Sequence, residues 1–141
     1  MLMKRTYIDA SVLIAAFQGE DEMAQRALSV LDDPNRLLVV SDYLRLEVLP
    51  KPKFHKRQEE VEFMEAVFEK AEPCESSPEL TSQALSLACK YDLAAMDALH
   101  VAAAVVAGAD ELITLEKPIK PICKVTEVAV QSLRSDPGDR K

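Results

Sequence analysis

Asp9, Glu47, Asp97 and Glu116 are separated by long stretches of chain, yet each follows a strand-like apolar run or sits in a helix that starts after one. Carboxylates placed in that way can gather at one edge of a sheet, where the chemistry they share is holding a divalent cation. The plainest case is Thr6-Tyr7-Ile8-Asp9-Ala10-Ser11-Val12-Leu13-Ile14, a short strand that stops at a carboxylate and turns at once into an apolar helix. In open α/β sheets ligands bind at this carboxyl edge, because the loops there leave a crevice lined by strand ends and helix amino termini.

Each acid taken alone has an ordinary explanation. Asp9 and Asp97 fit as helix N-caps, worth about 1 kcal/mol each, and Glu116, just past Leu112-Ile113-Thr114, fits as a loop charge. Glu47 fits less easily as a solvated residue. At about 100° per residue it falls between Tyr43 and Leu44 on the helical wheel, with Arg45 on the other side, which turns it inward. The conjunction decides the matter. Three carboxylates about 5 Å apart, at an effective dielectric near 20, repel by about 3 kcal/mol per pair and on the order of 10 kcal/mol together. That equals the whole stability of a typical domain, so the cluster must bind a cation or take up protons. Oxygen-only donors select the hard ions Mg²⁺ or Mn²⁺, and the lack of nearby Cys or His speaks against zinc.

Two further features stand near these acids. His100 lies one turn after Asp97 on an apolar helix and is read first as a buried, hydrogen-bonded histidine, second as a supporting or substrate-contacting residue. Lys51-Pro52-Lys53-Phe54-His55-Lys56-Arg57 combines cations with an aromatic, as nucleic-acid grooves do, although such a stretch also serves as a solvated loop. With only three glycines there is neither a P-loop nor a dinucleotide fingerprint. No G-x-S-x-G elbow occurs, and two histidines in unlike contexts argue against a serine or cysteine triad.

The elements that must position these residues follow from periodicity. Strand-like runs occur at Thr6 to Ile8, Leu37 to Val40, Leu112 to Thr114 and Ile122 to Val125, with a further candidate at Pro73 to Glu75. Helices fill most of the gaps. Asp21 caps one, Ser41 caps another running to Pro50, Lys56 to Lys70 carries apolar residues at helical spacing, and Ser77-Pro78-Glu79 opens the next. Met96 to Ala107 is apolar almost all round and is expected to be a buried helix ended by Gly108. Strands alternating with helices predict an α/β fold with a mainly parallel sheet of four to five strands, covered on both faces.

Length and composition set the outer bounds. A chain of 141 residues is expected to form one domain, here residues 1–134, and to bury roughly 68% of its unfolded surface. Ser135 to Lys141, with Pro137, Gly138 and mixed charges, is expected to be a frayed tail. Cys74, Cys89 and Cys123 are odd in number and far apart, so they are read as reduced, mostly buried thiols of a cytoplasmic protein. The apolar run after Lys4 and Arg5 is too short for a secretory core, and no run reaches membrane-spanning length. A net charge of -7 and a pI near 4.9 exclude an indiscriminate nucleic-acid coating protein, while leaving room for a local basic groove.

Together these segments resemble the PIN-domain ribonucleases, in particular the compact VapC-like toxins of toxin–antitoxin modules, over nearly the whole chain. Tyr7 to Ile14 is similar to the opening strand of that family, with its first acid and a small polar residue two positions later. Ser41 to Glu47 is similar to the helix bearing the second acid, and Tyr91 to Ala104, containing Met96-Asp97-Ala98-Leu99-His100, to the third motif. The chain departs at the fourth acid, where the family usually has Thr or Ser, any residue, then Asp, and this chain has Thr114-Leu115-Glu116. Asp110 is a poor substitute, since it precedes the strand and belongs at the opposite edge.

The resemblance implies a three-layer α/β/α PIN-like fold and metal-dependent hydrolysis of RNA phosphodiester bonds. It implies that Asp9, Glu47 and Asp97 hold Mg²⁺ or Mn²⁺, with Ser11, Thr114, His100 and Glu116 in support. Lys51, Lys53, Lys56 and Arg57 are then candidates for RNA contact. Family members are often homodimers, and toxin-like ones are blocked by an antitoxin protein. The competing expectation is a catalytically weak or inactive PIN-like module that binds protein or RNA.

Overall fold

Five strands, β1 (Lys4–Ile8), β2 (Arg36–Ser41), β3 (Glu72–Cys74), β4 (Glu111–Thr114) and β5 (Ala129–Ser132), pair in the order β3-β2-β1-β4-β5, every pair parallel. They belong to a computed structural model that describes residues 3–134, so the expected frayed tail from Ser135 lies outside the described residues. Seven helices connect the strands: α1 (Ala10–Gln18), α2 (Glu22–Leu31), α3 (Asp42–Val48), α4 (Pro50–Phe54), α5 (Gln58–Lys70), α6 (Pro78–Tyr91) and α7 (Ala95–Val106).

The period-2 alternation of β1, β2 and β4 builds two cores. Ile8, Val40 and Ile113 point to one face and pack under α1, α2, α3 and α5. Tyr7, Val39 and Leu112, one residue earlier on each strand, point to the other face and pack under α6 and α7. The result is the expected three-layer α/β/α arrangement. Because parallel crossovers keep one hand, a connection that moves toward β3 must place its helices on one face, and one that moves toward β5 must use the other. The direction therefore reverses at β1 and β4, leaving a crevice above their carboxyl ends.

Local signals explain the element ends. Asp21, Ser41 and Ser77 each accept a backbone N–H at the start of a helix. Gly108 adopts a left-handed φ of 69° just past α7, a turn that a Cβ would strain. At the amino edge of the sheet, opposite the candidate acids, buried Glu111 accepts from Thr6 Oγ1 at 2.6 Å and Arg36 Nε at 2.9 Å. Lys4 Nζ stands 3.5 Å from its other oxygen. Asp110 accepts from the Arg5 backbone N–H at 2.8 Å, at that same edge.

The structure corrects three expectations. Ile122 to Val125 is no strand: Pro121–Lys124 forms a 3₁₀ turn, because Ile122 and Val125, three apart, are both buried against the α6 and α7 core and Pro121 pre-sets the turn. The fifth strand is instead Ala129–Ser132, an edge strand exposed at alternate positions, which an apolar-run criterion passes over. The helix capped by Ser41 ends at Val48, and the chain continues through α4, so the next long helix begins at Gln58 rather than Lys56. All three cysteines are free, but only Cys74 is buried; Cys89 is exposed and Cys123 intermediate.

Candidate active site

Above the ends of β1 and β4 the first acid is set by local structure. Asp9 is only 5% exposed and caps α1, accepting from Val12 N–H at 3.4 Å. Ser11 donates its hydroxyl to Asp9 Oδ1 at 2.5 Å and accepts the Leu115 N–H at 3.0 Å. One small hydroxyl thus ties the Asp9 turn to the chain leaving β4, which explains a short polar residue two positions after the acid. Burial pushes the Asp9 carboxyl above its ordinary value, while hydrogen bonds from Ser11 and Thr114 oppose the shift.

Asp97 lies in the first turn of α7, and the N-cap there is Ala94, so its capping explanation fails. Its carboxyl is raised first by burial, then by the charges of Glu116 and Asp9, with Glu47 also contributing. All four predicted acids therefore converge on one region. Glu116 is half-buried just past β4, its N–H donating to Thr114 Oγ1 at 3.1 Å and its carbonyl accepting from Ser132 Oγ at 2.5 Å.

Glu47 sits near the end of α3. As a residue it is largely exposed, but its head turns inward as the wheel predicts, and Oε1 bonds His100 Nε2. His100 is buried, and its Nδ1 lies 2.6 Å from the Tyr7 hydroxyl. Tyr7 in turn lies 2.6 Å from Ser41 Oγ. Neither Tyr7 nor Ser41 was a predicted site residue. Tyr7 reads as core by its period, and Ser41 as a helix cap; a phenol in the middle of a buried strand was the available signal, since it must find a polar partner.

A divalent cation suits the chemistry of this donor set, hard carboxylate oxygens whose mutual charge adds to burial in raising Asp97. Among the described residues no three His, Cys, Asp or Glu side chains close on one point as a ready-made ligand set.

An open cleft of about 1130 Å³ adjoins the acids, with Ser11 and Glu116 in its wall. Lys117, Lys120 and Arg134 line it too, as do Glu20 and Asp21. Arg134 is held in place by donating Nε to the Leu115 carbonyl at 2.6 Å. These cations, one of them directly after the fourth acid, are scattered along the chain and carry no local pattern like that of the denser run at Lys51. Lys51, Lys53, Lys56 and Arg57 are all exposed on and after α4, beside an 81% exposed Phe54, and none of them lines the cleft.

The charge cluster has a measurable signature without any metal. Asp9 and Asp97 both titrate above their ordinary 3.8, so the folded state binds protons more tightly than the unfolded one. Their contribution to stability is therefore greatest below that value and is lost as pH rises through the raised folded values. In EDTA, chemical denaturation from about pH 4 to pH 7 should show wild type losing stability relative to Asp97→Asn. Saturating Mg²⁺ or Mn²⁺ should remove the difference, adding about 2.7 kcal/mol to wild type at 100 times the dissociation constant. Parallel pH profiles for the two proteins would mean that neither burial nor the neighbouring carboxylates raise Asp97.

The comparisons agree with this architecture. No curated protein matches the chain by sequence. Among solved structures it is similar to VapBC2 from Rickettsia felis bound to a promoter DNA fragment, at TM-score 0.70 and 12% identity over 91% of this chain and 98% of that one. It is also similar to a toxin–antitoxin complex from Klebsiella pneumoniae, at TM-score 0.71 and 20% identity, covering 88% and 95%. Mycobacterium tuberculosis VapC20, described as a sarcin–ricin loop cleaving toxin, aligns at TM-score 0.67 and 14% identity, covering 88% and 98%. Identities this low speak for the fold alone. The family model described as PIN domain matches residues 6–124, a span that holds all four acids and the carboxyl ends of both crevice strands; the chain belongs to the PIN domain family.

Proposed function

We propose that this protein is a metal-dependent endoribonuclease, the toxin component of a toxin–antitoxin pair. The observation that carries the proposal is the convergence of four carboxylates at the sheet's topological switch point, beside a cleft lined in part by Lys117, Lys120 and Arg134. Asp9, Glu47 and Asp97 would hold Mg²⁺ or Mn²⁺, directly or through water, with Glu116 acting through water. When bound, the ion supplies an activated water and neutralises charge on the phosphate. Ser11 and Thr114 orient Asp9 and favour its ionised form against burial. Lys117, Lys120 and Arg134 attract the phosphate backbone and place the scissile bond against the acids, and the Lys51 to Arg57 face extends the contact.

RNA as substrate is supported by the fold shared with a toxin described as cleaving the sarcin–ricin loop, and an antitoxin by the likeness to toxin–antitoxin complexes. Wild type should cleave structured RNA with Mn²⁺ or Mg²⁺ and not with EDTA, and its expression should arrest growth. Lys117→Gln with Lys120→Gln should weaken binding to all RNAs and lower the slope of log affinity against log salt by about 1.4 for single strands. The alternative is a PIN-like module that binds without turnover. It draws on the open ligand set and on Glu116, and full RNA affinity with no metal-dependent cleavage would establish it.

A further inference from the structure

The hydrogen bonds behind Glu47 form a single line, and counting their protons gives it a direction. Ser41 Oγ already accepts the Leu44 N–H at 3.2 Å, and the only other partner of its hydroxyl among the described residues is Tyr7. Tyr7 is a buried phenol, and a phenol, with an ordinary value of about 10, carries its proton at neutral pH. If Ser41 donates to Tyr7, Tyr7 must donate to His100 Nδ1, and His100 must then carry its proton on Nε2 and give it to the Glu47 carboxylate. Each group in the line is satisfied. In the reverse direction, or with an imidazolium, Nδ1–H donates to Tyr7, Tyr7 donates to Ser41, and the Ser41 proton has no acceptor, which is costly in a buried site.

We propose that Ser41, Tyr7 and His100 are positioning residues that fix the Nε2–H tautomer of His100 and through it the carboxylate of Glu47. One Glu47 oxygen is committed to His100, leaving the other for a cation or its water. The line also ties together the three elements that carry the cation-binding acids. Tyr7 lies on β1 two residues before Asp9, His100 on α7 one turn after Asp97, and Ser41 caps the helix that bears Glu47. Outer hydrogen bonds of this kind are how sites orient their ligands. The role toward a cation rests on the nuclease proposal above, whereas the direction of the line does not.

The test uses the whole chain with imidazole ¹⁵N NMR and Mn²⁺ titration. Metal-free wild type at neutral pH should show His100 protonated at Nε2 and bare at Nδ1, and Tyr7→Phe should lose that single tautomer. Tyr7→Phe should also weaken Mn²⁺ binding and lower kcat, each by about tenfold, with KM for RNA little changed. His100→Gln, which keeps a donor toward Glu47, should retain more Mn²⁺ affinity than His100→Leu. A proton on Nδ1 in wild type, or Tyr7→Phe binding Mn²⁺ as wild type does, would overturn the proposal. If wild type shows the Nε2–H tautomer yet binds no Mn²⁺, the line is upheld and the nuclease reading falls.

Discussion

Asp9→Asn should lower RNA cleavage on the order of 10³-fold, corresponding to a loss of about 4 kcal/mol of transition-state stabilisation, while leaving the protein folded. The substitution keeps an oxygen that can still accept from Ser11 and Val12, so the turn into α1 and its cap persist. What disappears is a nearly buried charge whose carboxyl is held above its ordinary value by desolvation. Without metal the variant is expected to be at least as stable as wild type, because an uncompensated buried anion is costly. Glu116→Gln should cost only about tenfold, as groups acting through water do, and Glu116→Asp should keep or raise activity with Mg²⁺. These differences are read from single-turnover cleavage beside thermal denaturation. Should Asp9→Asn retain more than about a tenth of the wild-type rate, which leaves it no worse than an outer-shell change, the acids are not the catalytic centre.

The second large effect lies at the opposite edge. Arg36→Met should destabilise the protein by about 3 kcal/mol, the low end of what breaking a buried ion pair costs. Glu111 is 3% exposed and joins β1 to β4 through Thr6 and to β2 through Arg36. Losing the guanidinium leaves a buried carboxylate facing one hydroxyl and a largely exposed Lys4 at 3.5 Å. Urea unfolding should show a lower midpoint at unchanged slope. Arg36→Met combined with Glu111→Met should recover much of the loss, since removing both charges avoids stranding either. A cost for Arg36→Met below about 1 kcal/mol, the range of surface pairs, would mean that Lys4 and water suffice.

The amino-acid sequence by itself determined the α/β class, four of the five strand positions to within a residue or two, and the caps at Asp21, Ser41 and Ser77, and it singled out the four acids as candidates. Each is a local property: a period of two or 3.6, a hydroxyl or carboxylate before a helix, a charge ending an apolar run. Even the inward turn of Glu47 follows from its place on one helix. Only the tertiary structure decided that Asp97 feels Glu116 more than any other charge, because their proximity arises when α7 packs back over the sheet against Leu112 of β4. It also decided that Lys117, Lys120 and Arg134 share the cleft, and that Tyr7, a core residue by its period, touches both His100 and Ser41. Ile122 to Val125 shows the limit most plainly. Its apolar side chains suit a strand or a turn equally well, and burial against α6 and α7, which no local pattern encodes, selects the turn.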